Sequence, residues 1–328
     1  MRVATIASLL LLAGCELAAV EDRPEVEAVA VPQGFDPLPI PVSNQLSEAK
    51  VQLGERLFHD PILSSDASIS CASCHHADRA FADPRRVSVG VGGRTGIRNS
   101  PSLVNVAYQR ELFWDGGSFT LEDQVLAPLT DEREMNADLG EVLRRLTADS
   151  SYANAFRAVF YRGPDIPSLT QAIAAYERTI VSGGSRYDRW QSGVTTLSAS
   201  EELGRKLFFG KAGCASCHAG FLFTSGEYLN NGLLHAAADS GRARITLESV
   251  DAGRFKVPSL RNVGLTAPYM HDGRFSSLDE VVRHYDAGGE GAPNQDPRIQ
   301  ALHLSGAERQ AIIDFLSTLT DEVVHDGM

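Results

Sequence analysis

Two pentapeptides carry most of the chemistry open to this sequence. Cys71-Ala72-Ser73-Cys74-His75 and Cys214-Ala215-Ser216-Cys217-His218 are identical, and each sets two thiols three residues apart with a histidine directly behind them. Thiols at that spacing reach both vinyl groups of one haem, and the histidine is then held against the iron as proximal ligand. A zinc site or a thioredoxin-like dithiol uses the same cysteine spacing. Neither asks for histidine at the same offset twice, so the pattern predicts two covalently bound c-type haems, on Cys71, Cys74, His75 and on Cys214, Cys217, His218.

Whatever positions these groups is repeated with them. Leu53-Gly54-Glu55-Arg56-Leu57-Phe58 precedes the first pentapeptide and Leu203-Gly204-Arg205-Lys206-Leu207-Phe208 the second. Both follow a Leu-Ser pair, Leu46-Ser47 and Leu197-Ser198, that reads as a helix start. A duplicated domain is expected. The chain should be mainly α, with two tandem cytochrome c-like domains at 42–185 and 186–328, each carrying one haem. Helical periodicity runs over Leu139 to Leu146 and Ser168 to Ile180, and Gly183 to Gly193 reads as the junction. Strand signal is confined to short stretches such as Arg244 to Leu247.

The 328 residues are 43% hydrophobic, enough for two cores, and the net charge of −12 argues against nucleic acid as a partner. An acidic surface suits either a soluble protein or one that meets a basic redox partner. Arg2 followed by the apolar run Val3 to Gly14 reads as an export signal too short to span a bilayer. Leu12-Ala13-Gly14-Cys15 looks like a lipoprotein processing box, so 1–14 would be removed and Cys15 acylated, anchoring a periplasmic protein to a membrane. Residues 15–41, rich in Pro, Val and acidic side chains, read as an extended tether. The other four cysteines belong to the haem motifs, leaving none for a structural disulfide.

Between the pentapeptides and after them lie Arg98-Asn99-Ser100-Pro101-Ser102-Leu103-Val104-Asn105, Phe113-Trp114-Asp115-Gly116, Glu134-Met135-Asn136, Val257-Pro258-Ser259-Leu260-Arg261-Asn262 and Leu265-Thr266-Ala267-Pro268-Tyr269-Met270-His271-Asp272-Gly273. In order and spacing these resemble the bacterial di-haem cytochrome c peroxidases, from about residue 45 to the C-terminus. The resemblance implies hydrogen peroxide chemistry at the N-terminal haem. It makes Trp114 the residue between the haems, an electron or hole relay, and Gln124 and Glu134 the polar pair above the peroxidatic iron. It also implies one calcium ion at the domain interface, held by Asn99, Thr266 and Pro268.

The residues lend part of this independent support. Thr120 with Asp123 reads as a capping box, and Leu121, Gln124, Val125 and Pro128 then share a helical face that Pro128 is expected to end. A glutamine on an apolar face needs a partner, which a haem pocket offers. Glu134 suits acid–base work, because peroxide must lose a proton to bind and its distal oxygen must gain one to leave as water. Its neighbours Asp131, Glu132 and Arg133 read as a solvated charge run.

Two departures from the archetypal peroxidases change the expected mechanism. Their histidine cap on the N-terminal iron is replaced by Val91, within Ser88 to Gly93, and no histidine occurs between His76 and His218. An open sixth position follows, ready for peroxide without reductive activation. At the C-terminal haem their distal methionine is replaced by Tyr285, with Met270, His271 and His284 as rivals. Helical phase favours Tyr285, since Leu278, Val281, Val282 and Tyr285 line one apolar face. A tyrosine ligand resembles the MauG branch, whose members hold two oxidising equivalents across both haems and oxidise residues of a partner protein. An anionic oxygen donor favours oxidised iron, whereas methionine raises the potential. A peroxidase fed by a small cytochrome and a non-enzymatic di-haem electron carrier are the alternatives.

Overall fold

The computed structural model describes residues 29–234 and 239–321. The export signal, Cys15 and the first part of the expected tether lie outside these residues. Among the described residues no helix is long and apolar enough to cross a membrane.

The chain is mainly helical. The N-terminal half contains α1 (Glu48–His59), α2 (Leu121–Gln124), α3 (Leu126–Thr130), α4 (Leu139–Ala148), α5 (Ser150–Phe160) and α6 (Ile166–Glu177). The C-terminal half contains α7 (Arg186–Gln191), α8 (Ala199–Phe209), α9 (Ala243–Thr246), α10 (Leu278–Ala287) and α11 (Gly306–Ser317). Two strands, β1 (Tyr228–Leu229) and β2 (Phe255–Lys256), pair antiparallel.

The duplication is built around one helix crossing used twice. Ser47 and Ser198 cap α1 and α8 by accepting from the N–H groups of Lys50 and Glu201, at 3.3 and 3.2 Å. Such a cap is worth about 1 kcal/mol. α1 then packs on α6, and α8 on α11. A Cβ at Gly54 would overlap the carbonyl of Ala172, and one at Gly204 would overlap that of Ala311. Glycine is therefore required at both crossings, because the backbones approach too closely for any side chain. Beside each crossing sits an aromatic pair, Phe58 on Tyr176 and Phe208 on Phe315, with centroids 5.1 Å apart in both cases. Two separate cores follow, one around Leu57, Phe58, Phe81, Leu146 and Tyr176, the other around Phe208, Phe223, Ile312 and Phe315.

The halves are joined through a charged interface. Asp115 is fully buried and accepts from Arg98 at 2.5 Å and from Arg244 at 2.7 Å. Arg98 also pairs with Asp239 at 2.7 Å, and Arg242 with Glu111 at 2.8 Å.

Two expectations need correction. Arg244 to Leu247 is not a strand, since Ala243–Thr246 form a single helical turn whose Arg244 is drawn onto Asp115. Pro128 does not end a helix. The segment breaks at Val125 and α3 restarts, so Pro128 falls in a first turn, where no N–H is needed, and the helix runs to Thr130. The junction Gly183 to Gly193 contains α7, and the N–H groups of Gly183 and Gly184 donate to Asp321. The described part of the tether, from residue 29, is docked rather than free. Phe35 packs on Tyr108 and Phe221, with the Arg261 guanidinium 4.5 Å from its ring.

Candidate functional site

Each pentapeptide begins as one tight turn, Cys71–Ser73 and Cys214–Ser216, and the N–H of each histidine donates to the first cysteine's carbonyl. His75 Nδ1 lies 2.9 Å from the Phe81 carbonyl, and His218 Nδ1 lies 3.0 Å from that of Phe223. A carbonyl only accepts, so Nδ1 carries the proton and Nε2 keeps its lone pair for a metal. Burial lowers the basicity of both rings, to about 4 for His218, so each is the neutral imidazole that iron requires. Phe81 and Phe223 hold left-handed backbone, φ 55° and 53°, which turns their carbonyls back onto the histidines. Arg85 and Arg298 donate to the carbonyls of Ser73 and Ser216, and each is held by its own aspartate, Asp83 and Asp296.

This arrangement fits thioether-linked haem better than zinc. Burial pushes the Cys71 thiol up and Cys214 to about 12. Among the described residues no group of three or more His, Cys, Asp or Glu converges on either pair. Instead, Cys71, Cys74 and His75 line a cavity together with Gln124, Val125, Pro128 and Glu134. Its lining sets a few polar groups among apolar side chains, as sites for organic ligands do.

Helices α2 and α3 bring Gln124 and Pro128 to this cavity, and the turn after α3 brings Glu134. Burial, reinforced by Asp131 and opposed by Arg133, raises the Glu134 pKa above the usual carboxylate value. The Val91 N–H donates to the Glu134 carbonyl at 2.9 Å, and a Cβ at Gly90 would overlap the carbonyls of Arg133 and Glu134. The loop at the place of the missing histidine is thus packed backbone to backbone on the segment carrying Glu134. Ser88 and Gly90 line the cavity, and the Val91 side chain is buried outside its lining.

At the second haem motif the tyrosine and its rivals separate by partner. The phenol of Tyr285 is buried, which raises its pKa. Asn231 Nδ2 lies 3.4 Å from the Tyr285 hydroxyl and 3.4 Å from Met270 Sδ, so both donors meet one amide. His284 is more buried than its helical phase suggests, and its Nε2 donates to the Asn231 carbonyl at 2.9 Å. His271 is stacked on Phe255, centroids 3.7 Å apart.

Trp114 sits at the meeting of the halves. Its Nε1–H donates to the Asn99 carbonyl at 2.8 Å, the Asn99 N–H donates to the His271 carbonyl at 2.8 Å, and the Lys256 N–H donates to the Trp114 carbonyl. The Asn99 side-chain NH2 donates to the carbonyl of Arg85 at 3.0 Å, leaving Oδ1 as the atom a cation would use. Thr266 precedes a cis Ala267-Pro268 bond, of which Pro268 is part.

The duplication reaches further than the haem motifs and their leading helices. Asn105 and Asn262 both take φ 59° and each begins a short turn, and nine residues beyond them stand Trp114 and His271, in Trp-Asp-Gly and His-Asp-Gly. Thr120 and Ser277 then cap the next helices. Eight residues past those caps stand Pro128 and Tyr285. Pro128, Asn231 and the cavity-lining Glu177 are absent from the sequence-based site. Only the shared face of Ile173 and Glu177, four residues apart on α6, signals the last.

Comparison with known proteins agrees with this geometry. Residues 48–196 match the model of the family described as di-haem cytochrome c peroxidase, and residues 201–320 match that of cytochrome c. The methylamine utilization protein MauG of Methylorubrum extorquens is 39% identical over 87% of this chain and 82% of its own. The cytochrome c peroxidase Ccp of Escherichia coli is 38% identical over 79% of this chain and 58% of its own. Among solved structures, a MauG-like protein associated with microbial copper homeostasis is 35% identical, with a TM-score of 0.84 over 89% of this chain and 95% of that one. The di-haem peroxidase BthA of Burkholderia thailandensis is 26% identical, with a TM-score of 0.77 over 85% and 87%. Two haem-binding units on a duplicated helix crossing, the first with Gln124 and Glu134 lining its cavity, therefore belong to a peroxide-dependent oxidoreductase, and the chain is a member of the di-haem cytochrome c peroxidase family.

Proposed function

We propose that the protein works in the MauG manner, reacting with hydrogen peroxide while both haems are oxidised and passing the oxidising equivalents to a partner protein. The observation that carries this reading is Pro128, a residue without a donor atom, in the place that Tyr285 takes in the second half. With Val91 in the place of the capping histidine, the N-terminal site keeps a coordination position free for substrate. The two haems, when bound, supply the redox chemistry, with peroxide reduced at the one held by His75.

The chain's own residues handle protons, orientation and charge. Glu134 takes the peroxide proton and returns it to the departing oxygen, and its raised pKa suits a group that must do both. Gln124 orients the peroxide through its amide. Trp114, fixed by the Asn99 carbonyl, carries oxidising equivalents between the halves. Tyr285 would hold the second haem's iron, and an anionic oxygen donor there would favour its oxidised state. Asn99 Oδ1 with the carbonyls of Thr266 and Pro268 would hold a calcium ion, as hard oxygen donors suit it. Arg2, the run Val3 to Gly14 and the Leu12-Ala13-Gly14-Cys15 box support export to the periplasm and acylation of Cys15.

Met270, as close to Asn231 as Tyr285 is, favours a second reading in which methionine ligates the C-terminal iron and a small cytochrome donates electrons. Stopped-flow absorbance of the fully oxidised protein with stoichiometric peroxide separates the two. A fast Soret change and a long-lived oxidised product support the MauG reading, and no change before pre-reduction replaces it with the second.

A further inference from the structure

The N-terminal cavity contains a carboxyl group that the reaction above does not use. Glu177, the last residue of α6, is 4% exposed and lines the same cavity as Cys71, His75 and Glu134. Its Oε2 is buried with no hydrogen-bond partner. The neighbouring Arg178 is no counter-ion for it, because that guanidinium is committed to Glu122, with Nη1 to Oε1 at 2.8 Å and Nη2 to Oε2 at 2.9 Å. Glu122 is held further by Asn44 Nδ2 at 2.6 Å.

The groups facing Glu177 do not favour its charge. α2 contributes the anionic Glu122, α1 contributes His59 against the preceding Tyr176, and the turn after α1 contributes the Cys71 thiol. Burial pushes the Glu177 pKa up to about 8, Arg178 opposing this and Glu122 adding to it. The carboxyl is therefore neutral at pH 7. Glu177 shares its cavity with Cys71 and His75, which places it at the N-terminal haem site.

We propose that Glu177 is the proton-exchanging group of the N-terminal haem site, protonated while that haem is reduced and releasing its proton as the haem is oxidised. A buried charge is tolerated only when another compensates it. Each electron lost leaves one positive charge at the site, and the carboxylate formed by proton loss cancels it. With peroxide as oxidant, H2O2, two electrons and two protons give two waters, so a proton freed at Glu177 is consumed by the same reaction. Linkage is reciprocal, so the proton must also shift the potential. The inference rests on the haem at His75 and not on the MauG reading, which the stopped-flow outcome decides separately.

The test is spectroelectrochemical titration of the holoprotein from pH 6 to pH 9.5, following the N-terminal haem. The wild-type midpoint should fall with pH at up to about 59 mV per unit, the one-electron, one-proton limit. In Glu177→Gln the slope should vanish. A flat wild type, or a slope kept in the variant and so belonging to another group such as a haem propionate, overturns the proposal. If the variant does not take up haem, the wild type decides through its redox-difference infrared spectrum with 13C-labelled glutamate. A protonated carboxyl band lost on oxidation, and still lost in Glu134→Gln, supports Glu177, and its absence overturns the proposal.

Discussion

Replacing Glu134 by Gln removes the proton-transfer group while leaving the structure around it intact. The bond from Val91 to residue 134 uses the backbone carbonyl, and the close approach of Gly90 is also to backbone, so neither depends on the carboxyl. Gln has the same size, and the melting temperature should stay within a degree or two of wild type. The rate should not. A positioned acid–base group contributes about 10²–10⁴-fold, which corresponds to roughly 2.7–5.4 kcal/mol of barrier. The pH profile gives a second readout. Burial and Asp131 raise the Glu134 pKa, and the carboxylate is the form that accepts the peroxide proton. Wild-type reactivity should therefore fall as pH drops through that raised value, and Glu134→Gln should lack this limb. Single-mixing stopped-flow with excess peroxide measures both. A variant reacting within about threefold of wild type, with the same acid limb, would refute the assignment, since no general acid–base role is worth so little.

Tyr285→Met should raise the midpoint potential of the C-terminal haem, read by spectroelectrochemistry, because an anionic oxygen ligand is exchanged for a thioether; an unchanged potential would point to Met270 as ligand already. Asp115→Asn leaves Arg98 and Arg244 facing a neutral amide and should cost about 3 kcal/mol or more in guanidinium unfolding. Gly204→Ala should disrupt only the α8–α11 crossing, lowering haem occupancy at His218 while His75 stays loaded, as pyridine haemochrome and mass analysis of the two haem peptides would report. Glu177 is raised from an ordinary carboxylate value to about 8, so the folded state binds the extra proton between these limits. Its stabilisation is full below about pH 4.5 and is lost as pH rises through 8, so Glu177→Gln should gain on wild type in melting temperature above pH 8.

The haem sites were legible because their chemistry fixes sequence-local spacing. Two thiols and an imidazole must lie within one turn, and Gly54 and Gly204 recur because a close helix crossing admits nothing larger. The capping serines 47 and 198 were legible for the same reason, each acting within three residues. Long-range structure left no such trace. Nothing adjacent in sequence marks Arg244 as a partner of Asp115, so a stretch with Ile245 and Thr246 reads as strand while tertiary pairing winds it into a turn. Phase on α10 separated Tyr285 from His284 but could not foresee that Asn231, some fifty residues earlier, supplies the carbonyl that buries the histidine. Glu177 stayed hidden because the following Arg178 suggests a solvated pair, and only the fold shows that the arginine turns to Glu122.

The duplication explains how one ancestral unit can serve two roles. Helix crossing, proximal histidine, its carbonyl partner and the arginine clamp are the same in both halves, so nothing in the iron-holding frame distinguishes them. Two matched positions differ in ways that bear on the site. Under the proposed function, Pro128 against Tyr285 would decide whether a side chain with a donor atom faces the haem, and a broken α2–α3 segment against the continuous α10 goes with it. Trp114 against His271 sets an indole in the first half, bonded to Asn99, whose own N–H reaches the His271 carbonyl. Under the proposed function, substrate access and inter-haem conduction would thus be asymmetries added to a symmetric scaffold. Exchanging the matched residues, Pro128→Tyr, should therefore close the first site to peroxide without loss of either haem, and retained peroxide reactivity in that variant would break the correspondence.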